Sequence, residues 1–434
     1  MCVRFAPGAP DDMNTTNHPR TYLFFPIEIG LAHICRSLAV AEVLHSRGHI
    51  VHFALPKRKQ ATFARSPIHF VPIEDYYAQD DFGMNVKMFR NTKYVERMID
   101  SELALIDTYK PDAVVIDFRV SAFAAAAIRK VKTYAIFVGD GLPYGALLPN
   151  PGLPKTIYQI FRNIFPKMYD LASKWYLQPF LMSMRKRGCI LTFDQWMQNV
   201  EYFVPEPTFY MPGVSKKLKV HYVSPLGWYK FNNKTPAWLE DIYPDGKTIY
   251  LSFGGTGFDK QKPIEISKAL LNAGYRVIVS TGNISDPADY PPNPNLYVER
   301  FLPGDIISTK VDLVICHGGY GTSMDAIQHS VPVLAIPFNP DQILHAARMQ
   351  ELGVAESVFR LRIPDIIYVF TFNWRHIENK GKAVQSATIV KKARFMLDHM
   401  SEYKRSLKKF NMMYSNINGA VEVADIIEKS MKFK

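Results

Sequence analysis

Short unbroken apolar runs, closed by glycine, proline or a polar residue and separated by stretches of helical period, set the strongest limit on how this chain can fold. In the second half they are KTIYLSFGG (247–255), YRVIVSTG (275–282), LYVERFL (296–302), DLVICHGG (312–319) and VPVLAIP (331–337). Strands covered on both faces read this way, whereas a strand with one wet face alternates. Helical stretches at 261–273, 321–330 and 342–352 fall between them. The first half repeats the pattern. TYLFFPI (21–27) leads through a turn into HICRSLAVAEVLHSRGH (33–49) and on to HIVHFALP (49–56), and the unit recurs at DAVVIDF (112–118), SAFAAAAIRKV (121–131) and TYAIFVGD (133–140). Strand, helix and parallel strand in this spacing predict an α/β chain of two doubly wound sheets, with ligand at the carboxyl ends of the strands in the cleft between them.

The chain has 434 residues, enough for two domains. A polar stretch, FNNKTPAWLEDIYPDGK, marks the join. The expected division is a loose tail at 1–20, a first domain at 21–227, a second at 228–410 and a closing helix segment at 411–434 that packs back on the first domain. With 47% hydrophobic and 21% charged residues the composition is that of a folded globular protein. Lysine and arginine outnumber aspartate and glutamate by 52 to 40, giving +12, so an anionic partner is favoured, with nucleic acid, an anionic membrane surface and a phosphorylated substrate all open at this point. Four scattered cysteines without a CxxC pair suggest neither a zinc site nor a disulfide framework, which fits the cytoplasm. The first twenty residues lack the apolar stretch of a signal peptide, and no run approaches the roughly 20 residues of a spanning helix.

The segment DLVICHGGYGTSMDAIQHSVPVLAIPFNPDQ (312–342) carries the most chemistry. His317, Gly318, Gly319, Tyr320, Gly321 and Thr322 stand between a buried strand and a helix. Backbone N–H groups and the helix dipole there can converge on an anion, and the glycines let the main chain come close. Thr322 would add a hydroxyl and cap the helix. By itself a Gly-rich turn beside a buried histidine would also satisfy the pattern. Further on, Asn339-Pro340-Asp341-Gln342 is a well-formed helix start, with Asn339 as cap and Pro340 at the first helical position.

Taken together, HGGxGT, then SVPVLAIP at 330–337, then Asp341-Gln342 resembles the donor site of the family 1 glycosyltransferases, which share the two-domain GT-B fold of facing Rossmann-like domains. The resemblance covers roughly 20–60, 110–140 and 220–356. It implies transfer of a sugar from a nucleoside-diphosphate sugar to an acceptor hydroxyl. His317 and the backbone of Gly318, Gly319, Gly321 and Thr322 would hold the diphosphate. Asp341 and Gln342 would bond the sugar hydroxyls. Ser252, Gly255 and Thr256, in LSFGGTG, would supply further donors. Pro303 matches the nucleobase segment, but Gly304 follows it where the family has glutamine, so uracil is only the favoured base and thymine fits similar contacts.

The same resemblance, over FFPIEIGLAHICRSLAVAEVLHSRGHIVHFA (24–54), makes His33 the catalytic base, with Gly30 retained and Ala32 where glycine is common. An acceptor hydroxyl is far too weak an acid to ionise alone, so an imidazole must take its proton as it attacks. A carboxylate behind the imidazole would orient it. Asp117, ending PDAVVID, is the expected partner, and Asp140, in FVGDG, is its rival. An inverting displacement is expected. No D-x-D triplet occurs, so no metal is expected and the helix start at 321 would carry the leaving charge, the nucleotide sugar being substrate and no cofactor being required. Gly246-Lys247-Thr248 and Gly255-Thr256-Gly257 only imitate phosphate-binding and dinucleotide motifs.

The basic, aromatic stretch 155–188 is expected as helices interrupted at Pro166 and Pro179. Phe161, Phe165, Met168, Trp175, Tyr176, Phe180 and Met184 are either core, the lining of a hydrophobic acceptor pocket, or a rest on lipid headgroups beside Arg185, Lys186 and Arg187. The partners expected are thus a nucleotide-sugar donor, a hydrophobic small-molecule or lipid acceptor, and peripheral membrane contact from the cytoplasm. No nucleic-acid signature is present. Segment 361–383 is more apolar than its counterpart in the family. Two other activities are compatible with the motifs: an epimerase or hydrolase acting on the nucleotide sugar without an acceptor, and a sensor that binds it without turnover.

Overall fold

The computed structural model describes residues 18–28, 30–75, 89–142, 149–150, 153–211, 216–230, 236–254, 260–282, 284–359, 362, 365, 374–413 and 418–432. Two parallel sheets, flanked by helices, form the molecule. The first comprises β1 (Thr21–Pro26), β2 (Ile50–Ala54), β3 (His69–Val71), β4 (Ala113–Asp117), β5 (Lys132–Ile136), β6 (Val200–Val204) and β7 (Lys219–Tyr222), in the order β3-β2-β1-β4-β5-β6-β7. The second comprises β8 (Thr248–Ser252), β9 (Arg276–Ser280), β10 (Leu296–Glu299), β11 (Leu313–Cys316), β12 (Val333–Ala335) and β13 (Ala355–Ser357), in the order β10-β9-β8-β11-β12-β13. Central strands are buried along their whole length, β4, β8 and β11 at every residue, which is why their sequences are unbroken apolar runs.

Both sheets reverse strand order once. In the first the reversal lies between β1 and β4, where Pro26 is in register with Asp117; in the second it lies between β8 and β11, where Ser252 is in register with Cys316. Loops leaving neighbouring strand ends in opposite directions open a crevice there. The two crevices carry the site.

One core cluster fills the second domain, and two line the faces of the first sheet. The last helix, Gly419–Met431, belongs to the first sheet: Val423, Ala424, Ile427 and Met431 share a cluster with Ile34, Leu38 and Leu44 of the helix Leu31–Ser46. Its entry passes so close to the chain at Ser224 that a Cβ on Gly419 would lie 2.0 Å from that carbonyl oxygen, so glycine is required there.

Several local expectations change. The apolar run CILTFD (189–194), whose composition predicts a closing strand, is not one: Phe193–Gln198 is a helix, closed by a capping box between Thr192 and Gln195, and the strand comes after it as β6. The helix Lys155–Tyr176 runs through Pro166, since an internal proline forfeits one backbone bond and bends a long helix without ending it. Pro179 stands in the first turn of Gln178–Lys186, where proline is tolerated. Within 361–383 the described part is Arg362, Asp365 and the helix Trp374–Lys382, with His376 Nε2 at 3.2 Å from Asp365. The rest of that segment lies outside the described residues.

Candidate active site

The first wall begins where β1 ends. Gly30, at φ 71°, turns the chain into the helix Leu31–Ser46, and this left-handed conformation suits glycine. His33 lies in the helix's first turn, and Arg36 follows three residues later on the same side. Both reach the end of β4. His33 Nδ1 lies 2.7 Å from Asp117 Oδ1; Arg36 donates from Nε to Oδ2 at 3.0 Å and from Nη2 to Oδ1 at 2.9 Å. Arg36 Nη2 lies 2.9 Å from the same Nδ1; in the tautomer that donates from Nδ1 to the carboxylate, the Nε2 lone pair is available. The His33 side chain is 24% exposed, while Asp117 has no exposed surface. Burial works to raise the Asp117 carboxyl, but the charges and hydrogen bonds of Arg36 and His33 prevail and hold it below its ordinary value.

Phe118, the residue after Asp117, has φ 60°, a strained conformation for a bulky side chain. Its ring stacks on Phe137 at 4.8 Å between centroids and lies 5.9 Å from the His33 ring, so an apolar floor adjoins the imidazole. Asp140 lies in the short turn Gly139–Gly141, and its side chain is outside the described residues.

The second wall begins where β11 ends. His317 and the two glycines turn into the helix Tyr320–Gln328, whose N-cap is Gly319 and not Thr322; no side chain caps it. Glycine without a side chain leaves the first N–H groups of the helix to an incoming anion. The packing explains the glycines. A Cβ on Gly319 would lie 2.2 Å from His317 Nε2, one on Gly254 3.2 Å from His317 Cε1, and one on Gly318 3.3 Å from the Gln342 carbonyl oxygen. Burial pushes the His317 imidazole down to about 4, against a smaller upward pull from the Ser252 backbone, so it is neutral at physiological pH.

His345, from the helix Pro340–Glu351, has its Nδ1 3.0 Å from the Gly318 carbonyl oxygen, which fixes the proton on that nitrogen. Burial pushes it, too, down to about 4. Asn339 caps this helix by accepting from Gln342 N. Asp341 stands in its first turn with an exposed side chain, and desolvation raises its carboxyl to about 6 against the pull of a hydrogen bond from its own backbone N–H. Gln342 is buried, and its Oε1 accepts from Phe338 N at 3.1 Å, which leaves its Nε2 to donate. Ser252 is buried at the end of β8, Pro303 caps the short helix Gly304–Ile307, and Gly255 and Thr256 lie outside the described residues.

The two walls touch. A Cβ on Gly321 would meet Ala32 at 3.6 Å, the Arg36 guanidinium lies 5.6 Å over the Tyr320 ring, and Tyr320 donates its hydroxyl to the Pro205 carbonyl oxygen. Tyr229, from the segment joining the domains, donates to Asp325, whose carboxyl is raised to about 6 by desolvation. Thus His33 and Asp117 come together, and they face the turn at 317–322 and Asp341 across one cleft. Arg36, His345 and Asp325 were not singled out in the sequence. Their spacing could have found the first: Arg36 is one turn beyond His33. Among the described residues no cluster of three or more His, Cys, Asp or Glu gathers to hold a metal, and no helix is long and apolar enough to cross a membrane. An imidazole with a free nitrogen, opposite an uncapped helix start, can take a proton from one reactant while an anion is held on another.

Residues 254–366, the part of the chain bearing the glycine turn, match the glycosyltransferase family 28 C-terminal domain, a different family from the family 1 that the motif resembles. A PGL/p-HBAD biosynthesis glycosyltransferase of Mycobacterium tuberculosis is 26% identical over 341 residues, 74% of this chain and 77% of that protein. Among solved structures, the spinosyn forosaminyltransferase superposes with a TM-score of 0.69 at 14% identity, covering 96% of this chain and 100% of that one. The calicheamicin glycosyltransferase gives 0.68 at 16%, covering 96% and 99%. The shared fold is two open parallel sheets with a cleft between them.

Proposed function

We propose that this chain, a nucleotide-sugar-dependent glycosyltransferase of GT-B fold, moves a sugar from a nucleoside-diphosphate sugar to the hydroxyl of a hydrophobic small molecule or lipid, with His33 as base. The observation that carries the reading is the 2.7 Å contact of His33 Nδ1 with buried Asp117 on a side chain that keeps 24% exposure, which in the Nδ1–H tautomer leaves the Nε2 lone pair free to take a proton. In the reaction Nε2 takes the hydroxyl proton, the oxygen attacks the anomeric carbon, and the bond from that carbon to the diphosphate oxygen breaks. Asp117 holds the imidazole and stabilises its charged form. The backbone at 318–322 holds the departing diphosphate, with neutral His317 beside it, and Asp341 and Gln342 bond the sugar. Ser252, Gly255, Thr256 and Pro303 complete the donor site. Base and leaving group on opposite walls suit an inverting displacement without metal. A uracil nucleotide is favoured, thymine being the rival. The domains divide at 227/228, the tail is 1–20, and 411–434 serves the first domain. We place the protein in the cytoplasm, peripheral to a membrane.

His33→Ala is expected to lower transfer about 10²–10⁴-fold while leaving nucleoside-diphosphate affinity nearly unchanged. Steady-state rates and calorimetry on the same preparation check this. Unchanged transfer would remove the base assignment, and donor turnover without any acceptor would favour an epimerase or hydrolase.

A further inference from the structure

The helix Lys155–Tyr176 presents an apolar stripe to solvent that the fold does not use. Ile160, Ile164, Leu171 and Trp175 are 61%, 47%, 71% and 55% exposed. At about 100° per residue, positions 160, 164, 171 and 175 fall within an arc of about 60°. Four aligned large side chains in water are more than the scattered apolar residues of an ordinary surface. Lys167 and Lys174 border the stripe on one side by the same spacing, Lys174 being paired with Asp170 at 3.0 Å and Asp194 at 3.5 Å, and the helix carries four basic residues, Lys155, Arg162, Lys167 and Lys174, against one acidic residue, Asp170. At its far end the Arg90 guanidinium lies 3.9 Å over the Trp175 ring, so the indole is exposed with a cation beside it. The next helix is different: Phe180 and Met184 are buried in the core of the first domain.

We infer that this stripe docks the protein on the surface of an anionic lipid bilayer, with Ile160, Ile164, Leu171 and Trp175 inserted at the acyl boundary and the lysines on the headgroups. A narrow apolar stripe bordered by cations suits an interfacial helix lying in the membrane plane. The chain's excess of 12 positive charges adds attraction to anionic lipid and none to a neutral one. A second copy of this chain is disfavoured as occupant, because two such stripes would bring their lysines together. The start of the helix meets the second domain: Asn150 N donates to Glu351 Oε1 at 2.8 Å, and Tyr158 feels the charges of Glu351 and Arg348, both in the last turn of the helix that begins at Pro340. If the acceptor is lipid, as proposed above, docking brings the cleft to its source. The docking itself does not depend on that reading.

Flotation of the full chain with vesicles of phosphatidylcholine alone, and of phosphatidylcholine mixed with phosphatidylglycerol, tests the inference. Wild type is expected to float with the mixed vesicles only, and less so as salt rises. Ile164→Ser with Leu171→Ser changes exposed residues, so melting temperature and nucleoside-diphosphate binding should be kept while flotation falls about ten-fold or more. Lys167→Glu should lower flotation as well. Absence of flotation with both vesicle types, or flotation indifferent to the double substitution, overturns the proposal. Equal flotation with neutral vesicles overturns its electrostatic half, and a concentration-dependent dimer that the double substitution abolishes, without flotation, assigns the stripe to self-association.

Discussion

Asp117 has no exposed surface and shares its charge between two partners, Arg36 through two bonds and His33 through one. Arg36 is itself buried. It acts as a positioning residue: it fixes the carboxylate that fixes the imidazole. Breaking a buried pair by removing one member leaves a desolvated charge and costs about 3–5 kcal/mol. Arg36→Met should therefore lower the melting temperature. It should also change the pH profile. In wild type Asp117 stays ionised below the ordinary carboxylate range, so it adds nothing to the acid limb of kcat/KM above that range. Without Arg36, burial raises the Asp117 carboxyl with only His33 opposing it, and the acid limb should steepen and move to higher pH. Arg36→Lys should restore part of the wild-type profile. An unaltered acid limb in Arg36→Met would show that Arg36 serves stability only. Asp117 was legible in the sequence because it ends an apolar strand at the edge where α/β sheets bind ligand. Arg36 was legible only through its spacing, one turn beyond His33; a charge in a helix is ordinarily solvated, and only the fold shows that this one is covered.

At the scale of elements, the glycine turn and the two helices behind it form a unit built on neutral histidines. An unfolded chain protonates histidine near 6.5, whereas burial in the fold brings His317 down to about 4. Between those values the unfolded state binds more protons, so acid weakens the fold through this group. Asp325 and Asp341, both raised to about 6, work oppositely: over the range from 6 to below 4 the folded state holds the extra proton. His345, also down to about 4, acts in the same sense as His317, and a difference between variants isolates His317. The melting-temperature gap between wild type and His317→Gln should shift against wild type as pH falls from 6.5 to 4. A gap constant over that range would contradict the neutral, buried assignment. The turn was legible because HGG between a buried strand and a helix is a local pattern. The stretch 189–204 was legible in part. Its capping box at Thr192 and Gln195 was there to be read, but CILTFD has the apolar composition of a strand, and composition was followed. Pro166 was read as a stop because a single residue's propensity is visible in sequence and the packing of a 22-residue helix is not.

At the scale of the molecule, two sheets turn their points of strand reversal toward one cleft, and each brings one half of the chemistry. Contacts between the halves are both polar and apolar: Tyr320 bonds Pro205 and Arg348 bonds the carbonyl oxygens of Phe209 and Tyr210, while Tyr210 and Met211 pack into the core of the second domain and the rings of Phe209 and Tyr210 meet Phe410. The final helix ties the end of the chain to its beginning, since Arg20 donates to the Met431 carbonyl oxygen at 2.7 Å and Arg47 pairs with Asp425 and Glu428. The alternation of strands and helices was legible because every βαβ unit writes its own period. The meeting of His33 with Asp341 was not, because it depends on how two separately folded halves face one another. The central claim is that the uncapped helix start at 320 holds a nucleoside diphosphate without metal. Calorimetric titration of the full chain with UDP and TDP, each with and without EDTA, tests it most directly. The account predicts that at least one binds, with the same affinity in EDTA, and that His317→Ala weakens it. Folded protein that binds neither nucleotide, or binds only when a divalent cation is present, would contradict it.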